Sequence, residues 1–250
     1  MLKKFFKLFN LLGKNHLEFT GPYESWQEAA SNSSGYDSDI VIKKVKEATQ
    51  QVLLGDKKYE RDGTAFDSTP ENNTLINLLQ KYGISEKKIV DVGGGLGSLY
   101  INYKEFFEDQ VKNYYIIEQK NFCIEGELLA KKYDLNLKYL TDLSLINEDI
   151  DYLICSSFLQ YIENWNDYVN LIIKKKPEYI IIDRHPLSKD RSEIYVQLNT
   201  GYYESDVSYP LHILEKQDFL SSFHGYEMLD EWDSDFDPLY FKGFLLKKSI

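Results

Sequence analysis

Cysteine is nearly missing from this chain. Among 250 residues only Cys123 and Cys155 occur, each in an apolar setting. A disulfide framework and a Cys-based zinc site are therefore excluded, and the expected compartment is the reducing cytoplasm. Histidine is scarce too: His16, His185, His212 and His224 show no metal-ligand spacing. Basic residues are outnumbered, 29 Lys and Arg against 40 Asp and Glu, for a net charge of −11. That balance argues against nucleic acid as a partner, because phosphate backbones call for Lys/Arg clusters. No apolar run approaches the roughly 20 residues that span a bilayer. Internal repeats, long Pro/Gly/Ser linkers and a Gly-x-Ser-x-Gly elbow are also missing. What remains is ample for a folded core: 43% of residues are hydrophobic and 15% aromatic, which excludes a disordered chain. The length suits one large domain or a domain with an attached subdomain.

Residues 1–12 start basic and turn apolar, as a signal peptide does. Lys7 and Asn10 interrupt the apolar stretch, and no small-residue cleavage site follows. Read at helical spacing, Leu2, Phe5, Phe6, Phe9 and Leu12 share one side, with Lys3, Lys4 and Lys7 largely on the other. Such a helix docks on its own domain or touches a membrane surface weakly. A helix is expected over 38–54, capped by Asp37 or Ser38, with Val41, Val45, Ala48 and Val52 at helical spacing and Gly55 at its end. Another runs through Leu75, Leu78, Leu79 and Tyr82 to Gly83. Residues 1–70 thus read as an N-terminal helical cap and 71–250 as the main domain.

From residue 88 the pattern changes. Apolar strands are expected at 88–92, 114–118, 137–140, 151–157 and 179–183. Helices are expected up to about Phe107, through Ile124, Leu128 and Leu129, and around 165–173. Continuous apolar runs are typical of parallel strands covered on both faces. Their alternation with helices predicts a doubly wound, mostly parallel α/β sheet. A helix near 215–223 leads to strands at 226–232 and 241–248, a terminal antiparallel hairpin. The acidic Asp233, Asp235 and Asp237 between them do not form a calcium loop, since Pro238 and Phe244 stand where glycine and glutamate are needed.

Asp91, Gly93, Gly94, Gly95 and Gly97 lie between the first of these strands and a helix. Glycines there let a backbone turn sharply and approach a ligand with no Cβ in the way. The following helix start offers free N–H groups, and ligands of open α/β sheets bind at the carboxyl ends of strands. Ser98-Leu99 follows Gly97, so the Lys-Ser/Thr of a P-loop is missing. A dinucleotide Gly-x-Gly-x-x-Gly fits poorly, because Ser98 or Tyr100 stands at its third position. Gly-x-Gly-x-Gly behind an acid is instead the pattern of class I S-adenosylmethionine-dependent methyltransferases. Glu118, 27 residues beyond Asp91, ends the second strand, where an acid accepts hydrogen bonds from ribose hydroxyls. Asp142 follows the third strand, placed to meet an adenine amino group. Ser156, Ser157 and Phe158 end the fourth, beside a sulfonium.

With these residues in place the chain resembles that methyltransferase class. More narrowly, it resembles a family of methyltransferases from bacterial surface-polysaccharide gene clusters. The resemblance takes in Phe19, Gly21-Pro22-Tyr23, Ser25-Trp26, Gly35-Tyr36-Asp37, Glu60-Arg61-Asp62, residues 91–100, Glu118-Gln119, Leu159-Gln160-Tyr161, Arg184, Pro186, Gln197 and Ser208-Tyr209-Pro210. It implies a seven-stranded Rossmann-like sheet ending in an antiparallel hairpin. The cofactor would be S-adenosylmethionine, leaving S-adenosylhomocysteine as product, with Gln119 joining the cofactor set. The acceptor would be a small polar molecule: a sugar, a sugar nucleotide, or a sugar-borne phosphate or phosphoramidate-type group.

On the acceptor side, Arg184 and His185 follow the fifth strand. His185 suits a general base for a sugar hydroxyl, because histidine titrates near neutrality. Arg184 suits an anionic acceptor, whose oxygen would need no base. Residues 184–214 read as a long acceptor-side loop carrying Gln197, Tyr202, Tyr203, Tyr209 and His212. Tyr161 joins them, and Tyr23, Trp26 and Arg61 are expected to reach the site from the N-terminal segment.

Overall fold

The computed structural model describes residues 4–9, 16–35, 39–70, 73–200, 207–234 and 241–249. Tyr36, Asp37, Ser38, Tyr202, Tyr203, Asp235, Asp237 and Pro238 lie outside them. In chain order come β1 (Lys4–Phe9), β2 (His16–Tyr23), α1 (Trp26–Ser31), α2 (Asp39–Leu53), β3 (Tyr59–Arg61), β4 (Thr64–Phe66) and α3 (Thr74–Tyr82). Next are β5 (Lys88–Val92), α4 (Ser98–Asn102), α5 (Lys104–Phe107), β6 (Asn113–Ile117), α6 (Lys120–Lys132), β7 (Lys138–Leu140), β8 (Tyr152–Ser156) and α7 (Trp165–Lys175). The rest are β9 (Tyr179–Ser188), β10 (Glu193–Thr200), β11 (Val207–Glu215), α8 (Lys216–Ser221), β12 (Tyr226–Asp233) and β13 (Phe241–Lys248).

Strands β7, β6, β5, β8 and β9 lie side by side and parallel. Strand β13 joins β9 antiparallel, and β12 pairs with β13. Successive strand residues serve opposite faces. Ile89, Tyr114, Ile116, Tyr152, Ile154, Tyr179, Ile181 and Leu245 pack one way, with Leu75, Leu78 and Leu79 of α3 and with Tyr100 and Phe107. Val90, Val92, Leu153, Cys155, Ile180, Ile182, Phe244 and Leu246 pack the other way, with Val169 and Ile172 of α7 and with Phe219 and Phe223. Burying a side chain of this size contributes about 1.5–3 kcal/mol, so a sheet covered on both faces anchors the domain. In α6 the buried face is Phe122, Cys123, Gly126, Leu129 and Ala130, while the expected Ile124 and Leu128 are exposed.

Beyond this arrangement the sheet runs on to eleven strands among the described residues. Strand β9 pairs with β8 only as far as Asp183, then continues to Ser188, where Leu187 and Ser188 pair with Leu214 and Glu215 of β11. Strands β11, β10, β2 and β1 follow in antiparallel order. Three expectations are corrected here. Residues 4–9 form a strand, not a helix, because an aromatic-rich segment finds a partner strand in 16–23, and cross-strand pairing outweighs the helical spacing. Residues 184–214 are mostly strand, not loop; Val207, Tyr209, Leu211 and Ile213 are buried at alternating positions, the signature of a half-buried strand. The N-terminal segment is not a separate helical cap, since β2 pairs directly with β10 across the boundary expected at residue 70.

Candidate functional site

The glycine loop leaves β5 after Val92, one residue beyond Asp91. Its glycines do different work. A Cβ on Gly97 (φ +92°) would come within 2.8 Å of Leu137 and 3.0 Å of Ile116, so this glycine lets α4 pack against the sheet. A Cβ on Gly94 would meet the Asp91 carboxylate at 2.7 Å, and one on Gly93 would meet the Phe158 ring at 2.5 Å. Gly95 is the exception: it has φ +59° and no neighbouring atom within 4 Å of where its Cβ would stand, yet it lines a cavity. That is the cradle a ligand needs for close backbone approach. Beneath the loop Asp91 is buried and accepts from the Tyr114 hydroxyl at 3.0 Å. Burial pushes its carboxyl up to about 6, against the opposing pull of Tyr114.

The cavity at the carboxyl ends of β5, β6 and β8, beside the middle of β9, has two lobes. Both are lined by Asp62, Gly93, Glu118, Ser156 and Arg184. The first lobe, about 190 Å³, adds Tyr59, Glu60, Arg61, Asp91, Gly94, Gly95, Ser98, Tyr103, Asp183 and Trp232. The second, about 520 Å³, adds Ile117, Gln119, Thr141, Ser157, Phe158, Tyr161, Tyr168, Gln197, Asn199 and Tyr209. That volume lies in the range of small-molecule sites, about 300–1,000 Å³.

Ser157 (φ +54°) at the end of β8 and Arg184 (φ +51°) in β9 both adopt left-handed backbone beside the cavity. The Ser157 amide donates to the Asp183 carbonyl at 2.8 Å, tying the two strand ends together. Backbone of this kind persists where surrounding structure over-determines it, and it clusters at functional sites. Arg184 Nε donates to Ser156 Oγ at 3.2 Å and lies 3.7 Å from Asp183 Oδ2. Burial pulls its pKa down, but Asp62 and Asp183 outweigh that and hold it charged. Asp183 is itself locked, accepting from Ser156 Oγ at 2.9 Å and from Trp232 Nε1 at 3.0 Å.

The far wall of the second lobe is a network of uncharged groups. Tyr161 donates its hydroxyl to Gln197 Oε1 at 3.1 Å. Gln197 Nε2 donates to Asn199 Oδ1 and to the Tyr209 oxygen, both at 3.0 Å, and Asn199 Nδ2 reaches that same oxygen at 2.7 Å. Strands β10 and β11 place these groups side by side, since Gln197 pairs directly with Tyr209.

Of the sequence candidates, Asp91, Gly93, Gly94, Gly95, Glu118, Gln119, Ser156, Ser157, Phe158, Arg61, Tyr161, Arg184, Gln197 and Tyr209 line this cavity. Others stand elsewhere. Asp142 is exposed and caps the short turn Leu143–Leu145, accepting from the Ser144 amide; that hydrogen bonding lowers its pKa, and its neighbour Thr141 is the residue at the cavity wall. Trp26 stacks on His212 at 4.6 Å, and His212 bonds the Glu163 carbonyl, so this pair secures α1 to β11 rather than facing the cavity. Tyr23 ends β2, where its hydroxyl meets Thr20 Oγ1 at 3.5 Å.

His185 is the chief correction. Its ring is buried, stacked on Phe219 at 4.2 Å, and lines neither lobe. Burial first, then His212, lowers its pKa to about 3. Gln160 Nε2 donates to Ser157 Oγ at 2.9 Å and to the Arg184 carbonyl at 3.3 Å, which turns Oε1 toward His185 Nδ1 at 3.2 Å. The Nδ1 atom therefore carries the hydrogen, and the ring supports the two left-handed residues. A strand continuing through residue 185 turns alternate side chains into the core, which placement after a strand end did not foresee.

Sequence reasoning gave no site role to Glu60, Asp62, Ser98, Asn199 and Asp183, although Glu60, Asp62 and Ser98 lie within the resemblance. Glu60 is buried in the first lobe and accepts from the Ser98 hydroxyl and, at 2.9 Å, from the Gly63 amide. Burial raises its carboxyl to about 7 despite both bonds. The available signal was Asp62-Gly63 between two short extended segments, the sequence of a tight hairpin turn.

No protein-family model and no curated protein matches the chain. Solved structures do. An S-adenosylmethionine-dependent methyltransferase from Clostridium acetobutylicum superimposes with TM-score 0.54 at 15% identity, over 70% of this chain and 89% of that one. The 1,6-didemethyltoxoflavin-N1-methyltransferase of Burkholderia thailandensis, with 1,6-didemethyltoxoflavin and S-adenosylhomocysteine bound, does so with TM-score 0.54 at 11% identity, over 97% and 99%. The N-terminal domain of EvdMO1, in the presence of S-adenosylhomocysteine and D-fucose, gives TM-score 0.50 at 10% identity, over 83% and 97%. Such identities speak to architecture alone: the chain has the fold of S-adenosylmethionine-dependent methyltransferases.

Proposed function

We propose that this chain is an S-adenosylmethionine-dependent O-methyltransferase. Its acceptor is a small polar molecule: a sugar, a sugar nucleotide, or a sugar carrying a phosphate- or phosphoramidate-type group. One observation carries the reading: Gly95 and Glu118 share a cavity with Arg184, Tyr161, Gln197 and Tyr209. The donor set fits an adenosyl cofactor. Glu118 accepts from ribose hydroxyls. Ile117, Thr141, Phe158 and Tyr168 offer a slot for adenine, and Gly95 lets the cofactor approach the backbone closely. When bound, the cofactor supplies a methyl group on a sulfonium.

For the acceptor, the amide and phenol network of Tyr161, Gln197, Asn199 and Tyr209 suits hydroxyl-rich molecules. Arg184 suits a phosphate-type group through its planar fork. The tie to surface-glycan synthesis rests on the sequence resemblance alone. The fold is shared with a protein solved beside D-fucose, which agrees with a sugar acceptor, and with an N-methyltransferase, so oxygen as the target atom rests on the polar wall and the same resemblance. Calorimetry with S-adenosylmethionine and S-adenosylhomocysteine, with NAD(H) and NADP(H) as controls, tests the reading. Micromolar binding of the sulfur ligands, weakened at least tenfold in Glu118→Ala, is expected. Binding of the nicotinamide nucleotides alone would overturn it.

A further inference from the structure

Among the described residues six carboxylates line the two lobes: Glu60, Asp62, Asp91, Glu118, Asp183 and Asp233. Five are engaged by hydrogen bonds or a close ion pair. Glu60 holds Ser98 and the Gly63 amide, and Asp91 holds Tyr114. Glu118 accepts from the Gln119 amide at 2.6 Å, Asp183 holds Ser156 and Trp232, and Asp233 pairs with Lys242 at 2.6 Å. Asp62 differs. Among the described residues its carboxylate accepts no hydrogen bond, and its nearest cation is Arg61 Nε at 3.8 Å. It lines both lobes, facing Arg184 where they meet.

This position is built. Asp62 (φ +51°) and Gly63 (φ +76°) are the two central residues of the β3–β4 hairpin, the left-handed pair of a type I′ turn. The hairpin is fastened to the helix that follows the glycine loop. Ser98 holds the Glu60 side chain, and Asn102 bonds both the Glu60 amide at 2.8 Å and the Glu60 carbonyl at 2.7 Å. The turn thus holds an uncommitted carboxylate at the junction of the lobes.

We infer that Asp62 is the proton acceptor for an acceptor hydroxyl, the role that chain position alone suggested for His185; this rests on the methyltransferase reading above. The step balances without a co-reactant. A bond forms between the hydroxyl oxygen and the methyl carbon, the carbon–sulfur bond breaks with its electron pair left on sulfur, and the hydroxyl proton passes to the Asp62 carboxylate. The Asp62 side chain is 55% exposed, so the proton leaves to solvent. Asp183 is no substitute, since both its oxygens already accept hydrogen bonds.

Asp62→Asn is the test, because asparagine keeps the turn and removes the charge. Calorimetry needs no acceptor: S-adenosylmethionine carries one more positive charge than S-adenosylhomocysteine. The variant is expected to lower the affinity ratio of the two by about three- to tenfold, while S-adenosylhomocysteine affinity stays within about threefold of wild type. An unchanged ratio overturns the inference. Failure of the wild type to bind either ligand overturns the underlying reading instead. With methyl-labelled cofactor and a panel of free and nucleoside-diphosphate hexoses, Asp62→Asn is expected to lose about 100-fold or more in kcat with KM nearly constant. Asp62→Glu recovers part of that loss. Full kcat in Asp62→Asn overturns the inference, and if no panel member is methylated the affinity ratio decides.

Discussion

The two sides of the cavity are built in different ways. The side holding Gly93, Gly95, Glu118 and Ser156 consists of residues at or just beyond the ends of neighbouring parallel strands β5, β6 and β8. Each turn there is local, with strand end, loop and helix start lying within a few residues. The side holding Gln197, Asn199 and Tyr209 exists only because β10 pairs with both β2 and β11, joining residues 16–23, 193–200 and 207–215. The first side can be read from a short window, whereas the second depends on register between distant segments. The β3–β4 hairpin is intermediate: its turn is local, but its place over the cavity depends on Ser98 and Asn102.

Substitutions can sharpen this contrast. The largest effect is expected at Gly97, where a side chain would press into Leu137 and Ile116 from left-handed backbone. Gly97→Val should lose about 3–5 kcal/mol, overpacking and strain together, on the order of 10 °C in Tm. Gly95→Ala meets no neighbour and should lose only about 1 kcal/mol, yet weaken S-adenosylhomocysteine binding more than tenfold. Thermal melts and calorimetry on the pair test the division; equal melting temperatures would break it.

Next in size is a pH effect with opposing signs. Glu60 and Asp91 have carboxyls raised by burial, to about 7 and about 6, so the folded state holds protons that the unfolded state releases. Stability from these groups is full below their unfolded values near 4 and falls as pH rises toward 7. His185, lowered to about 3, works the other way: the unfolded state binds its proton below about pH 6.5, so stability falls as pH drops through that window. In urea titrations, Glu60→Gln should flatten the decline between pH 5 and 7.5 by on the order of 2 kcal/mol. The destabilisation by His185→Asn at pH 7.5 should shrink at pH 5 by a similar amount. Parallel pH curves for wild type and either variant would contradict the assignment.

Gln197→Leu removes one hydrogen-bond partner each from Tyr161 and Asn199 and one of two from Tyr209, and should destabilise by about 1–3 kcal/mol. Because the distant wall alone is disturbed, S-adenosylhomocysteine affinity should change less than threefold; a large loss would show that the two sides are one unit. The smallest effect belongs to His185→Asn in catalysis. Its amide nitrogen can replace Nδ1 toward Gln160, so the rate–pH profile between 6 and 8 should stay as in wild type. Loss of a basic limb there would return the proton to His185.

The places where sequence reading succeeded and failed follow the same line. Asp91 to Gly97, Glu118 and Ser156 to Phe158 were legible because apolar runs of five or so residues end in turn chemistry that few backbones allow. Gln197 and Tyr209 were read as parts of a long loop, and Tyr161 entered only through the resemblance. The alternation at Val207, Tyr209, Leu211 and Ile213 was the physical signal for a strand. His185 was misread because a strand was ended at Asp183, whereas β9 continues to Ser188 and buries the ring against Phe219. Asp62 was met only within the resemblance, and its place over the cavity was not legible.

By itself, then, the sequence determined the parallel sheet, the glycine turn and the acid at the next strand end, because each depends on contacts between near neighbours in the chain and on which dihedrals those residues tolerate. Only the tertiary structure decided that residues 4–9 pair as a strand, that β10 and β11 wall the cavity, that His185 is core and that Asp62 stands at the junction. Those outcomes depend on register and burial between segments far apart in the chain, where the partner strand, and not the local pattern, selects which face of a residue meets solvent.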